Sequence, residues 1–263
     1  VSSVERPPGV ALALAVSRRS FSRGVAWPHP EWWCLAVSAL AWLALVTASA
    51  GAGLSGLPNG SHDHAAPSAG GRVAPWVAGT LHWSVMVVAM MLPAIVDSIR
   101  ITAARSVWAR RHRAIGGFLV GYLLPWTILG LGTSVLVAEL RLDTRLPLPA
   151  MAAFGFGVAA AWQLTAVKWR AVRSCHRTAP LAPRGWRADL DCVRYGWAIG
   201  GRCVTSCWAL MLACLLARHG LVAMTCATVI GAAERYSDKP SKPALFGATA
   251  ALAVIYATAA WEW

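Results

Sequence analysis

The apolar positions of this chain come in long runs, with polar residues gathered between them. The run at 32–53, WWCLAVSALAWLALVTASAGAG, contains no charged residue. An α-helix needs about 20 such residues to cross roughly 30 Å of hydrocarbon. Similar runs lie near 75–96, 114–138, 147–167, 197–217, 219–233 and 244–261. In lipid a backbone must satisfy its own polar groups, so such runs predict helices. The expected fold class is all-α, a polytopic transmembrane bundle of six or seven helices. The count turns on the short 219–233 run. Residues 1–31 are expected to form a basic, poorly ordered cytoplasmic tail, and 32–263 the membrane domain.

The polar stretches refine this picture. The 55–72 segment, SGLPNGSHDHAAPSAGGR, has turn chemistry and little to bury. The 100–113 segment, RITAARSVWARRHR, is suited to an amphipathic helix along a membrane surface. Pro93 is expected to end the second run, and Pro125 to kink the third. Residues 170–196 form the longest internal loop. Only Arg218-His219-Gly220 separates the fifth run from the sixth, which predicts an antiparallel hairpin. No internal repeat is evident.

Charge then sets the orientation. The chain has 263 residues, 13% of them charged, and a net charge of +13. With the N-terminus cytoplasmic, 20 of the 24 Lys and Arg residues fall on the inner side. Arg72, Arg141, Arg145 and Arg218 are the four outside. A bias of this size is what the positive-inside rule predicts. It explains the basic excess through orientation and anionic lipid heads, so nucleic acid is not an expected partner. Ser17-Arg18-Arg19-Ser20-Phe21 looks like a twin-arginine signal. Pro28, His29, Pro30 and Glu31 separate it from the apolar run, so the run is read as a retained helix. The Trp residues near run ends, such as Trp32, Trp76 and Trp261, suit interfacial anchoring.

Two helical stripes of soft metal ligands lie inside these apolar runs. One is His82, Met86 and Met90; the other is Cys203, Cys207 and Met211. A four-residue step keeps each set on one helix face. Antiparallel neighbours would place Met86, Met90 and Cys207 at mid-depth. His82 and Met211 would lie nearer the outside, and Cys203 nearer the inside. Met224 is a further thioether candidate. Thiolate, thioether and imidazole suit Cu(I), with zinc as second choice. Packing alone is the competing reading, because Met fills gaps and free Cys is a common core residue.

Other candidates carry less. His62-Asp63-His64 fits a solvated loop at least as well as a metal pair. Cys175, His176 and Cys192 match no standard zinc spacing, and the two cysteines read as the reduced thiols expected on the cytoplasmic side; none of the seven cysteines forms a paired extracellular framework. Asp97 and Glu234, near run ends, are either functional or paired with Arg100 and Arg235. The chain has no P-loop, dinucleotide-binding glycine motif, G-x-S-x-G elbow or HExxH motif.

Three segments carry a resemblance. Trp83, Met86, Ala89, Met90, Met91 and Pro93 stand in HWSVMVVAMMLPA. Trp162, Gln163, Leu164, Thr165 and Lys168 stand in WQLTAVKWRAVRSCHR. Cys203, Cys207, Trp208, Leu210 and Met211 stand in CVTSCWALM, followed by Met224 and Glu234. Together they resemble a bacterial family of integral membrane proteins described as predicted metal-binding. Ser206 replaces a second adjacent Cys often found there, and Thr225 replaces an Asn. One fewer thiol disfavours tetrahedral zinc more than low-coordinate Cu(I). The resemblance implies a membrane protein that binds metal. The leading expectation is Cu(I) transport, relay or delivery, with a protein metal donor or acceptor as partner. The alternatives are a membrane oxidoreductase subunit with a redox metal and a structural subunit without metal.

Overall fold

A computed structural model describes residues 31–54, 75–107, 110–140, 147–175, 178, 181–182, 185–237 and 240–261. The tail expected over 1–31, save Glu31, the His62-Asp63-His64 pair and His176 lie outside the described residues. Among those described, the secondary structure is entirely helical. The helices are α1 (Trp32–Leu54), α2 (Pro75–Met91), α3 (Val96–Ala104), α4 (Arg111–Leu140), α5 (Leu148–Gln163), α6 (Ala166–Ser174), α7 (Trp186–Leu216), α8 (Leu221–Tyr236) and α9 (Lys242–Trp261). A 3-10 turn, Pro93–Ile95, joins α2 to α3.

Stretches within α1, α4, α7 and α9 are each long and apolar enough to cross a membrane. If each of two bent pairs is one span the number rises to six: α2 with the turn and α3, bent by 51°, and α5 with α6, bent by 76°. The short 219–233 run becomes α8, a helix of 16 residues. Its length is about 24 Å, less than the hydrocarbon thickness. Many apolar side chains face outward, among them Leu40, Val120, Ile128, Leu136, Phe154, Val229 and Ile255.

The break after α2 follows from Pro93. Proline has no N–H to give the Ala89 carbonyl four residues earlier. That carbonyl instead accepts from Ser38 Oγ at 2.7 Å and Trp42 Nε1 at 3.1 Å, both on α1. Two α1 donors thus fill the gap left by one missing amide, as a water-free interior requires. At the second break Thr165 caps α6, its hydroxyl accepting from Lys168 N at 3.3 Å. The Gln163 carbonyl accepts from Trp169 Nε1 at 2.7 Å.

Helix α7 is the axis of the bundle, packing against α4, α5, α6 and α8. Of its apolar stretch 61% is buried, against 11% for α9, which lies at the periphery on α5. The α4–α7 contact brings backbones together through Gly117-x-x-x-Gly121 and Gly196-x-x-x-Gly200. A Cβ on Gly121 would strike the Val193 carbonyl, and one on Gly196 the Phe118 carbonyl. The expected hairpin of α7 and α8 is present. His219 N bonds Cys214 O at 2.8 Å and Arg218 N bonds Leu215 O at 2.9 Å, closing a Schellman turn.

Candidate metal centre

The four-residue step along α7 buries Cys203, Cys207 and Met211 on one face, with Cys203 and Met211 fully enclosed. Close to Cys203, three other elements meet. Met91, the last residue of α2, brings its Sδ to 3.9 Å from Cys203 Sγ. Tyr122 of α4 places its hydroxyl at 3.1 Å. Arg235, near the end of α8, donates from Nη2 to Cys203 Sγ at 2.7 Å, and lies 3.8 Å from Cys207 Sγ. Its Nη1 donates to the Ala94 carbonyl at 3.2 Å, so the broken backbone after α2 helps to aim it. Ser206 Oγ sits 3.3 Å from Cys207 Sγ.

A buried guanidinium needs an anionic or strongly accepting partner. Here it has two sulfurs one helical turn apart. The arrangement provides a soft, electron-rich pair, a thioether beside it, and one positive charge already bound at the sulfurs.

A second buried network is built on Glu234, the residue before Arg235. Lys168 Nζ lies 2.9 Å from Glu234 Oε2, and both side chains are almost wholly enclosed. Lys168 also donates to the Ser206 carbonyl at 2.9 Å, and Gln163 Nε2 donates to Glu234 Oε1. The Gln-Leu-Thr-x-x-Lys segment at the α5–α6 bend therefore ties α8 to α7 at the level of the cysteines. Cys175, capping α6, is a third buried thiol whose neighbours include Ser206, Cys207 and Arg235. A cavity of about 50 Å³ opens beside Arg235, and Asp97, Cys175, Tyr195 and Tyr236 are among its lining residues.

Several expectations need correction. Helix α2 packs mainly on α4 and α1, and not side by side with α7. Side chains at its two ends reach the α7–α8 hairpin: Met91, one residue beyond the stripe, meets Cys203, and His82 meets His219. Glu234 pairs with Lys168 and not with Arg235, whereas Asp97 does pair with Arg100, at 3.5 Å. Arg100 also binds buried Glu31 at 2.8 Å. Met86, Met90, Met211 and Met224 are all buried in the core. His82, at the far end of α2, is half-buried with its ring centroid 4.2 Å from that of His219.

Tyr122, Arg235 and His219 are not among the candidate site residues that the sequence offers. Arg235 was hidden by the more obvious partner beside it in the chain, Glu234. Among the described residues no group of three or more His, Cys, Asp or Glu side chains is placed to hold a metal ion. All seven cysteines are free. Cys203 and Cys207 with Met91 offer three sulfur donors, fewer than the four ligands of a closed tetrahedral zinc site.

A family model described as PpoB2, a copper chaperone, matches residues 80–260. No curated protein and no solved structure matches the chain. The matched span includes both ligand stripes, the Lys168–Glu234 pair and Arg235. It covers well over half of the sequence, and the chain belongs to the PpoB2 copper chaperone family.

Proposed function

We propose that this protein is a multi-pass membrane copper chaperone that holds Cu(I) as cargo and passes it to a protein acceptor. The observation that carries this reading is the Cys203–Cys207 pair, buried one turn apart against the Arg235 guanidinium, with Met91 at 3.9 Å. Thiolate and thioether donors favour Cu(I) over hard cations, which want oxygen ligands. Arg235 acts as a resident counter-ion. A guanidinium at the sulfurs keeps the empty centre from being an unpaired buried anion.

The bundle sits in the bacterial inner membrane with the N-terminus cytoplasmic. The outward apolar side chains and the distribution of Lys and Arg support this placement. Cys203, Cys207 and Met91 bind the ion most firmly. Met86, Met90, Met211 and Met224 serve as weaker thioether steps between the two ends of the bundle. The cavity beside Arg235 is where an acceptor would approach the thiols. The Cys203→Ser/Cys207→Ser protein, produced in cells lacking the native one, tests the function. The expected result is normal membrane levels of the variant with reduced cuproenzyme activity. Unchanged cuproenzyme activity and unchanged copper tolerance would overturn the proposal.

A further inference from the structure

The turn between α7 and α8 holds two consecutive non-glycine residues in the left-handed region. Arg218 has φ 48° and His219 φ 57°. A Schellman turn ordinarily places glycine where Arg218 stands. The chain does have a glycine nearby, Gly220, but at φ −54°, where none is needed. An L-residue in the left-handed region pays a steric penalty, and held strain of this kind is a pointer to function. The result of the conformation is a meeting of two imidazoles. The His219 ring lies against His82 of α2 at 4.2 Å between centroids, the planes inclined by 62°. Both residues are half-buried, at the end of the bundle away from Cys203. Met86 is buried one turn along α2 from His82, and Met224 is buried near the start of α8.

We infer that His82 and His219, with the Met86 thioether, form a second Cu(I) site at this end of the molecule. The inference rests on the copper reading above and adds a site to it. The ligands come from two separate segments, α2 and the α7–α8 turn. Two imidazole nitrogens and a thioether suit a two- or three-coordinate soft ion. All three donors are neutral, so the bound ion keeps its full charge and is held less tightly than by thiolates. Counted along α7, His219 lies roughly 20 Å from Cys203, too far for one ion to serve both. Partial exposure leaves this pair open to exchange, whereas the thiols are enclosed. With the N-terminus cytoplasmic, the pair lies at the outer face.

Anaerobic Cu(I) titration of the detergent-purified full chain against a competing chelator tests the site, with X-ray absorption to identify the scattering atoms. The wild type should bind a tight equivalent dominated by sulfur and a weaker one containing nitrogen. His219→Asn should lose the weaker equivalent and its nitrogen scattering while keeping the tight one. Asn tolerates the left-handed conformation, so the turn survives. His82→Gln, on a different helix, should lose the same equivalent. Cys203→Ser/Cys207→Ser should lose only the tight one. If both histidine variants retain both equivalents with unchanged nitrogen scattering, the second site is overturned and the thiol centre stands. A wild type that binds no Cu(I) overturns both.

Discussion

Lys168 and Arg235 are both buried cations near Cys207, and they have different partners. Lys168 is neutralised by Glu234, so removing either member leaves a charge stranded in the interior. Glu234→Gln is expected to destabilise the protein by about 3–5 kcal/mol, whereas Lys168→Met with Glu234→Leu should recover much of that loss. Unfolding in detergent measures both. A single variant as stable as wild type would mean that the pair is not buried as described. Met211 and Cys207 offer a second contrast. Cys207→Ser should lower bound copper more than Met211→Leu, which nearly conserves volume and apolarity. Equal copper content in the two variants would contradict the assignment of Cys207 as a principal ligand. At this scale the thiols were legible, because soft donors at a four-residue step stand out in an apolar run. Arg235 was not. Its partners, Cys203 and Cys207, lie 32 and 28 residues away, and nothing local indicates that the side chain turns away from Glu234.

The helices show how backbone gaps and close approaches build the centre. Beyond the end of α2 the carbonyls of Pro93 and Ala94 accept from Tyr236 at 2.8 Å and Arg235 at 3.2 Å. The break was expected from Pro93, but its use by α8 was not, since that depends on tertiary placement. Pro125 sits inside α4, which continues past it from Arg111 to Leu140. The glycine pairs of α4 and α7 give a direct test of packing. Gly196→Ala should destabilise the bundle or prevent its accumulation, because the new Cβ meets the Phe118 backbone. Overpacking of this kind costs about 1–3 kcal/mol or more. Gly132→Ala, with no neighbour within 4 Å of the added carbon, should be neutral or stabilise by up to about 1 kcal/mol. Comparison of unfolding midpoints and membrane yield would show the difference, and equal effects would contradict the close α4–α7 approach.

At the scale of the whole molecule, the helical structure of the described residues and the runs apolar enough to cross a membrane were readable from run length alone. The number of candidate spans was ambiguous because α8 is short and two candidates are bent helix pairs. The arrangement of α2 relative to α7 was misjudged because a shared period says which residues share a face, but not which helix that face meets. Orientation has its own test. The native cysteines are buried apart from half-buried Cys226, so a cysteine introduced in 55–72 reports cleanly to an impermeant thiol reagent. Labelling from the outer side is expected, and labelling only from the cytoplasmic side would invert the topology.

The central claim is that Cys203 and Cys207 hold copper, and the copper-to-protein ratio of the full chain tests it most directly. The measurement compares protein purified in detergent under reducing, anaerobic conditions after loading with Cu(I), for the wild type and for Cys203→Ser/Cys207→Ser. The wild type should retain tightly bound copper through exhaustive washing with a competing chelator. The double variant, folded and at equal yield, should lose that fraction. A double variant that keeps the wild-type tightly bound copper content would contradict the account.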